Sequence, residues 1–251
     1  MKIHFIVNPH SANGETGRRW AGLRGQAERA CPGHFVEMTK SPVEATTLAS
    51  NALRSGADVV VAVGGDGTIN EVVNGFFVDG RAINPNAALG IIPRGTGGDF
   101  RRSLKWTSDV EAALSRISAN RRQTIDVGLL EYRSANGSTA HRYFANVCSF
   151  GVSGAIDREV DRSTKMFGGK VSFYLGTLKG LLKYRDQRVR ISFDGKPAQD
   201  LMVTTVAVGN GQYFGGGMKV CPAAELSDGL FDVTVWSGYG PKDFVLKSAG
   251  V

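Results

Sequence analysis

A chain of 251 residues, 42% of them hydrophobic and 21% charged, has the composition of a globular protein with one large domain or two modest ones. No apolar run approaches the roughly 18–20 residues of a membrane span, and the apolar part of the N-terminus is too short for a signal peptide. The net charge of +7 favours anionic partners such as nucleotides, acidic lipid headgroups or nucleic acid, and a generic basic surface explains it equally well.

The first half of the chain alternates strand and helix patterns. Strands are predicted at residues 3–7, 34–39, 57–63 and 88–92, and helices at 42–53, 69–77, 100–104 and 110–117, with another carrying Trp20, Leu23 and Ala27 on one face. This alternation predicts a parallel sheet covered on both faces, with ligands at the carboxyl ends of its strands.

The segment Gly64-Gly65-Asp66-Gly67-Thr68 follows the third strand and precedes a helix. Its three glycines let the backbone turn tightly and approach a ligand, and the helix N-terminus that follows is an anion site. Thr68 and Glu71 have the spacing of a capping box, which predicts that the helix begins just after the loop. The segment is neither a Walker A loop nor a dinucleotide fingerprint, because no Gly-Lys-Ser/Thr follows it and it comes after the third strand.

Asp66 decides what kind of anion site this is. A carboxylate beside a phosphate is repulsive unless a cation such as Mg²⁺ lies between them. The loop therefore predicts a metal-nucleotide or metal-phosphate site. A plain glycine-rich turn with an exposed aspartate stays open as the alternative.

A second glycine loop, Gly95-Thr96-Gly97-Gly98, follows the fourth strand and ends in Asp99. We expect it to face the same crevice, because the carboxyl ends of parallel strands meet at one edge of the sheet. Three arginines flank this loop and can neutralise phosphate charge: Arg94, Arg101 and Arg102. Asp99 also suits a helix N-cap, a role compatible with a metal contact.

From about residue 126 strand patterns dominate. Strands are predicted at residues 124–132, 142–147, 188–193, 201–208 and 230–236, which indicates a second, mainly antiparallel domain. One helix is predicted at 171–184, either packed on its own domain or lying on an anionic membrane surface. A third glycine-rich stretch, residues 209–217, precedes a tight turn at Asp228-Gly229 that suits either a hard cation or a plain hairpin. The three widely spaced cysteines predict free thiols in a reducing compartment.

Taken in order, these motifs resemble those of the diacylglycerol kinase-like lipid kinases, which include bacterial diacylglycerol and phosphatidylglycerol kinases and the sphingosine and ceramide kinases. The Gly64–Thr68 motif is shared with NAD kinases and phosphofructokinases, whereas Gly95-Thr96 with Asp99-Phe100, and residues 228–233, point to the lipid branch. The other matching segments are Asn8-Pro9, Thr39, residues 69–75, Asp126-Val127-Gly128, and Phe144-Ala145-Asn146 with Gly151.

The resemblance implies an α/β fold: an N-terminal Rossmann-like parallel-sheet domain of the NAD kinase and phosphofructokinase kind (residues 1–125), then a mainly antiparallel β-sandwich domain (126–251). It implies an acidic network of Asp66, Asp99 and Asp126 around a catalytic Mg²⁺. A second, structural Mg²⁺ is implied at Asp228 with the backbone carbonyls of Glu225 and Leu230. ATP is implied between the domains, lined by Asn8, Pro9, Thr39, Gly64, Gly65, Asp66, Gly67, Thr68, Ile69, Asn70, Glu71, Gly95 and Thr96.

Two departures from the family pattern stand out. Gly98 occupies a position where the family usually has asparagine. The family's general base is a glutamate in a C-terminal Asp-Gly-Glu segment, and nothing after residues 243–247 matches it, so we expect a truncated chain.

The predicted function is an ATP- and Mg²⁺-dependent lipid kinase that phosphorylates diacylglycerol or a related lipid. The alternatives are a kinase with a soluble substrate, of the NAD kinase type, and a nucleotide-binding module without catalysis. The expected partners are ATP and a lipid at the membrane surface, with a homodimer left open. Nucleic acid is not expected, because only charge suggests it. The expected location is the cytoplasm, with peripheral contact at the inner membrane face.

Overall fold

The computed structural model describes residues 1–152, 154 and 184–238. The helix predicted at 171–184 lies, except for Tyr184, outside these residues, and so does the stretch 243–247.

The N-terminal half forms a parallel four-stranded sheet in the order β2-β1-β3-β6. Its elements in chain order are β1 (Ile3–Val7), α1 (Glu15–Ala30), β2 (Phe35–Met38), α2 (Glu44–Arg54), β3 (Val59–Gly64), α3 (Asp66–Gly75), the short hairpin β4 (Phe77–Val78) and β5 (Arg81–Ala82), β6 (Ala88–Pro93), α4 (Asp99–Ser103) and α5 (Val110–Ser118).

Two hydrophobic layers hold helices on both faces of this sheet. The alternating side chains of β1 and β3 divide between them, because neighbouring residues of a strand point to opposite faces. Phe5 and Val61 pack with residues of α1 and α5. Ile6, Val60 and Ala62 pack with residues of α2 and α3 on the other face.

The second half consists of small antiparallel sheets, which confirms the predicted fold class. Their strands are β7 (Gly128–Arg133), β8 (Thr139–Phe144), β9 (Val147–Gly151), β10 (Gln187–Ile191), β11 (Gln199–Val203), β12 (Thr205–Gly209), β13 (Tyr213–Phe214), β14 (Met218–Lys219) and β15 (Asp232–Trp236). Strand β12 lies between β9 and β15, and the other strands pair as β7-β8, β10-β11 and β13-β14.

The predicted strands at 142–147 and 201–208 were wrong as single elements, because each contains a break. The Asn146 carbonyl accepts hydrogen bonds from the backbone N–H groups of Asn210 and Gly211 instead of continuing β8. At the other break, the chain leaves the β10-β11 pair at Thr204 and enters the three-stranded sheet. Both halves of each predicted strand are apolar enough to hide the break from a periodicity argument.

The predicted capping box was also wrong. Helix α3 begins at Asp66, three residues earlier than expected, and its N-cap Gly65 makes no side-chain capping bond. The Glu71 carboxylate instead accepts from the backbone N–H of Ala45 (3.3 Å) in the first turn of α2. Thr68 and Glu71 thus have the right spacing, but Glu71 stabilises the neighbouring helix.

None of the helices in the described part of the chain combines the length and the apolar content that a membrane crossing demands.

Candidate functional site

The site begins where the strand order changes direction. Strand β1 lies between β2 and β3, so the chain proceeds to one side after β1 and to the other after β2. In open α/β sheets, ligands bind outside the carboxyl ends of the strands at such a point. Asn8 follows β1, and its Nδ2 donates to Thr68 Oγ1 (3.0 Å) in the first turn of α3. This hydrogen bond joins the segment after β1 to the segment after β3 at the bottom of the crevice.

The two glycine loops touch backbone to backbone. The Arg94 N–H donates to the Gly64 carbonyl (2.7 Å), which extends the pairing of β6 with β3 by one bond. A Cβ on Gly95 would lie 2.4 Å from the Gly65 Cα, and a Cβ on Gly64 would lie 2.5 Å from Thr68 Oγ1. These positions therefore require glycine for space, and the loops form one continuous surface, as the sequence predicted.

Asp66 links the first loop to helix α4. Its Oδ2 accepts from the backbone N–H of Asp99 (3.1 Å), and its Oδ1 accepts from that of Phe100 (3.0 Å). The carboxylate thus takes two of the free N–H groups at the start of α4, which the helix itself cannot satisfy. The sequence left an N-cap role open for Asp99; in the structure Gly98 is the N-cap residue of α4, and the Asp66 carboxylate accepts the bonds that a capping side chain would accept.

Asp99 is only 7% exposed, with its carboxylate beside that of Asp66. Its Oδ1 accepts from Arg102 Nη1 (3.0 Å), and its Oδ2 accepts from the Gly216 N–H (2.8 Å). Burial raises the pKa of Asp99 above its ordinary value, the charge of Asp66 raises it further, and the contacts to Gly216 and Arg102 oppose the shift. A Cβ on Gly97 would lie 3.1 Å from Asp66 Oδ2 and 3.5 Å from Asp99 Oδ2, so both carboxylates face the second loop.

Asp126 lies against the loop that was predicted to hold a second cation. Its Oδ2 accepts from the Gly229 N–H (2.7 Å), and its own N–H donates to the Leu226 carbonyl (2.7 Å). Asp228 Oδ1 accepts from the Leu230 N–H (3.0 Å), the bond of an Asx turn. Within residues 1–152, 154 and 184–238, no group of three or more His, Cys, Asp or Glu side chains is arranged to hold a metal. The two Mg²⁺ positions, and the role of Glu225, stay predictions.

Of the predicted ATP-lining residues, Pro9 and Thr39 help to fix the strand ends. The Pro9 carbonyl accepts from the Gly17 N–H (3.0 Å), and the Thr39 N–H donates to the Val7 carbonyl (2.9 Å). Gly67, Gly95 and Thr96 are exposed.

The predicted ATP-lining residues further along α3 have structural partners. The Ile69 side chain is buried in the core, so a contact between Ile69 and a nucleotide would come from its backbone. Asn70 Nδ2 donates to the Tyr143 carbonyl (3.0 Å), and its Oδ1 accepts from Arg142 Nε (3.1 Å). With Glu71 bonded to α2, the side chains of this turn hold α3 in place.

Sequence reasoning missed the polar residues that join α4 to the second half. Ser103 Oγ donates to Asn146 Oδ1 (2.9 Å) and accepts from the Gln212 N–H (3.1 Å). Asn210 is fully buried, and its Nδ2 donates to the carbonyls of Asp126 (2.7 Å) and Ala145 (2.9 Å). Asn146 and Asn210 lie inside matched or glycine-rich segments, which was the available signal, whereas nothing in the sequence marks Ser103.

A cavity of about 630 Å³, with both apolar and polar side chains in its lining, lies beside the site. Its lining includes Phe100 of α4, Leu104 just after that helix, Val73 of α3 and Ile125, together with polar residues such as Gln123. The cavity lining thus includes Phe100, the residue next to Asp99 in sequence.

Comparisons with known proteins agree with this geometry. Residues 2–130 match the family described as the diacylglycerol kinase catalytic domain, and residues 146–246 match the YegS C-terminal NAD kinase beta sandwich-like domain. The chain is 30% identical over 246 residues to a diacylglycerol kinase of Bacillus subtilis, covering 97% of this chain and 76% of that one.

Two further proteins are similar along much of the chain. A Pectobacterium atrosepticum protein named "Probable lipid kinase YegS-like" is 33% identical over 203 residues, covering 80% of this chain and 64% of that one. A crystal structure of a diacylglycerol kinase from Bacillus anthracis superimposes with a TM-score of 0.72 at 26% identity, covering 100% of this chain and 78% of that one.

Proposed function

Because the chain belongs to the diacylglycerol kinase catalytic-domain family, we propose that it transfers the γ-phosphoryl group of ATP to a hydroxyl of diacylglycerol or a related lipid. The observation that carries this proposal is the joint surface of the two glycine loops, with the carboxylates of Asp66 and Asp99 beside it. Phosphoryl transfer requires mainly groups that position and neutralise phosphates, and this surface offers them.

The backbone binds the phosphates in this proposal. The unpaired N–H groups in the first turn of α3 and in the exposed Gly95-Thr96 segment are the donors. Asn8 and Thr68 fix the loop that presents them. Because the loops are already in contact, the donors are preorganised, and little reorganisation accompanies the transfer.

The residues present fit a bound Mg²⁺. Asp99 is buried beside Asp66, and although Arg102 pairs with Asp99 Oδ1 (3.0 Å), burial and the charge of Asp66 still raise the pKa of Asp99. Two neighbouring carboxylates thus share one guanidinium, which leaves negative charge that a cation can balance. Carboxylate oxygens are the ligands that Mg²⁺ prefers. We propose that Asp66 and Asp99 hold the ion, which when bound neutralises phosphate charge, and that Asp126 belongs to the same acidic network.

A second, structural Mg²⁺ is proposed at Asp228 with the carbonyls of Glu225 and Leu230. Support comes from the Asp126 contact to Gly229, which ties this loop to the start of the second half. We also propose the division into domains 1–125 and 126–251, because the parallel sheet ends with β6 and the described strand pairs from β7 onward are antiparallel. Peripheral action at the inner membrane face, from the cytoplasm, follows from the proposed lipid substrate.

A phosphoryl-transfer assay tests the proposal. The protein is incubated with radiolabelled ATP, Mg²⁺ and mixed micelles of diacylglycerol or phosphatidylglycerol, and in parallel with NAD in place of lipid. The expected result is label in the organic phase and none in NAD. Label in NAD alone would show that the acceptor is a soluble molecule and not a lipid. ATP binding without any transfer, even after the natural C-terminus is restored, would favour a nucleotide-binding module.

A further inference from the structure

Three arginines flank the second glycine loop, and the structure separates them. Arg101 Nη1 donates to the Trp106 carbonyl (2.8 Å), and Arg102 Nη1 donates to Asp99 Oδ1 (3.0 Å). Among residues 1–152, 154 and 184–238, the Arg94 guanidinium has no hydrogen-bond or ion-pair partner; its Nε is buried, whereas the residue as a whole is half-buried. Two of the three positive charges are therefore used within the protein, and that of Arg94 is left for something else.

The unpaired state of Arg94 is costly for the protein alone. Its Nε is buried and has no hydrogen-bond partner among the described residues. A guanidinium stays charged at every physiological pH, so the group cannot relieve this cost by losing a proton. An unsatisfied buried donor of this kind needs an explanation, and an absent anion or water is one.

The backbone of Arg94 lies where the two loops meet. Its N–H donates to the Gly64 carbonyl (2.7 Å), and Pro93 before it pairs with Gly64 in the sheet register. Gly95 after it packs against the backbone of Gly65. The unpaired cation thus originates between the two segments that present backbone donors, and its backbone is held there by the hydrogen bond to Gly64.

We propose that Arg94 binds the phosphate groups of the nucleotide, an inference that rests on the proposed function. A guanidinium matches phosphate oxygens with parallel N–H donors, which a backbone cradle alone does not provide. Its positive charge also offsets the repulsion between the polyphosphate and the carboxylates of Asp66 and Asp99. Arg94 is thus a binding residue, whereas Arg101 and Arg102 position the loop.

Calorimetric titration of adenine nucleotides in Mg²⁺ tests the inference. ATP, ADP and adenosine are titrated into the wild type, Arg94→Gln, Arg94→Lys and the control Arg24→Gln, which removes the same charge from the exposed face of α1. Arg94→Gln should weaken ATP binding by about tenfold or more and leave adenosine binding unchanged. Arg94→Lys should fall between, and Arg24→Gln should match the wild type.

Thermal unfolding without ligand separates binding from structure. Because Arg94→Gln removes a half-buried guanidinium whose buried Nε has no partner among the described residues, its apoprotein should be at least as stable as the wild type. Lower stability together with an equal loss of ATP and adenosine affinity would overturn the inference in favour of a structural role.

The remaining outcomes distinguish this inference from the proposed function. Unchanged ATP affinity in Arg94→Gln, with lipid phosphorylation by the wild type intact, would overturn the role of Arg94 and leave the kinase standing. A raised KM for phosphatidylglycerol, but not for diacylglycerol, with ATP affinity unchanged would move the contact to the lipid phosphate and overturn the assignment to the nucleotide. A wild type that binds no ATP would overturn both.

Discussion

At the scale of single residues, Asp66 serves the fold and the proposed chemistry with the same carboxylate. It satisfies two N–H groups at the start of α4 and lies beside the buried Asp99. An aspartate that only bound metal would be dispensable for folding, and one that only capped a helix would be dispensable for ATP binding. We expect Asp66 to be required for both.

Asp66→Asn should lower the free energy of unfolding by about 1–2 kcal/mol, because an amide oxygen replaces only one of the two acceptors. It should also abolish the rise in melting temperature that ATP causes in Mg²⁺. The control is Asp109→Ala at the N-cap of α5, where the wild-type side chain accepts from the Ala112 N–H (2.7 Å) and its loss costs about 1 kcal/mol. This control should lose similar stability and keep the full ATP response. Equal ATP responses in both variants would remove Asp66 from the site.

His4 is a residue of the core rather than of the site. Both ring nitrogens are buried and have no hydrogen-bond partner among residues 1–152, 154 and 184–238, and the ring stacks on Phe35 with centroids 4.6 Å apart. Burial, aided by the charge of Lys2, lowers the pKa of His4 from its ordinary value of 6.5. The folded state therefore resists protonation more than the unfolded chain does.

Stability should consequently be lost as the pH falls below 6.5 towards the folded pKa, since the unfolded chain takes up the proton first. The loss from this residue is at most about 1.4 kcal/mol per pH unit. His4→Leu, which is similar in volume, should flatten this part of the stability profile, measured by urea unfolding from about pH 8 to about pH 5. A variant that loses stability as steeply as the wild type would contradict the account.

At the scale of elements, the glycines of the two loops differ in what they require. A Cβ on Gly95 meets the Gly65 backbone at 2.4 Å, whereas a Cβ on Gly67 meets nothing within 4 Å. Gly95 is thus needed for the contact between the loops. Gly67 has open space above it, which the proposed phosphates would occupy.

Gly95→Ala should destabilise the protein by about 2 kcal/mol, because the loops must separate to admit the methyl group. Gly67→Ala should leave the fold intact and weaken ATP binding, and Gly22→Ala, in open space on α1, should stabilise the helix by about 0.5–1 kcal/mol without affecting ATP. Denaturant unfolding and ATP titration of the three variants provide the measurement. Wild-type affinity in Gly67→Ala would place the phosphates elsewhere.

The sequence was sufficient for the parallel sheet because its strands are apolar runs separated by helical periods, and the structure contains each of them. It was insufficient where a polar residue interrupts an apolar run, as Asn146 and Thr204 do. It also assigned Glu71 to its own helix, although the carboxylate bonds to Ala45. Local spacing identifies a group that can cap a helix, and tertiary packing decides which helix it caps.

The two loops of the candidate site could be predicted from the sequence, but the polar residues that hold them in place could not. Glycine, aspartate and strand ends are adjacent in sequence, so Gly64–Gly67 and Gly95–Asp99 could be recognised directly. Ser103 and Asn210 act through partners 43 to 109 residues away, and only the fold reveals such contacts. The hydrogen bond from the Gly229 N–H to Asp126 likewise joins residues that are 103 positions apart in sequence.

At the scale of the whole molecule, the helices that follow the two glycine loops, α3 and α4, are both hydrogen-bonded to the second half. Asn74 of α3 exchanges hydrogen bonds with the backbone of Tyr143, donating to its carbonyl (3.0 Å) and accepting from its N–H (2.9 Å). Ser103 of α4 bonds to Asn146 and Gln212. The position of α4, and with it Asp99, therefore depends on the antiparallel half.

Ser103→Ala should destabilise the protein by about 2 kcal/mol, because Asn146 Oδ1 and the Gln212 N–H both lose a partner. Hydrogen exchange should rise at residues 210–214, which the Ser103 hydroxyl helps to hold. The control is Ser118→Ala, an exposed serine that bonds only within its own helix end. Identical exchange in the two variants would show that α4 does not depend on this contact.

The central claim is that the two glycine loops and their carboxylates form one magnesium-dependent nucleotide site. The most direct test is a crystal structure of the chain with Mg²⁺ and a non-hydrolysable ATP analogue. The account predicts phosphates against residues 64–67 and 95–98, with Mg²⁺ between them and the carboxylates of Asp66 and Asp99. An analogue bound elsewhere, or a crevice that stays empty at saturating concentrations, would contradict it.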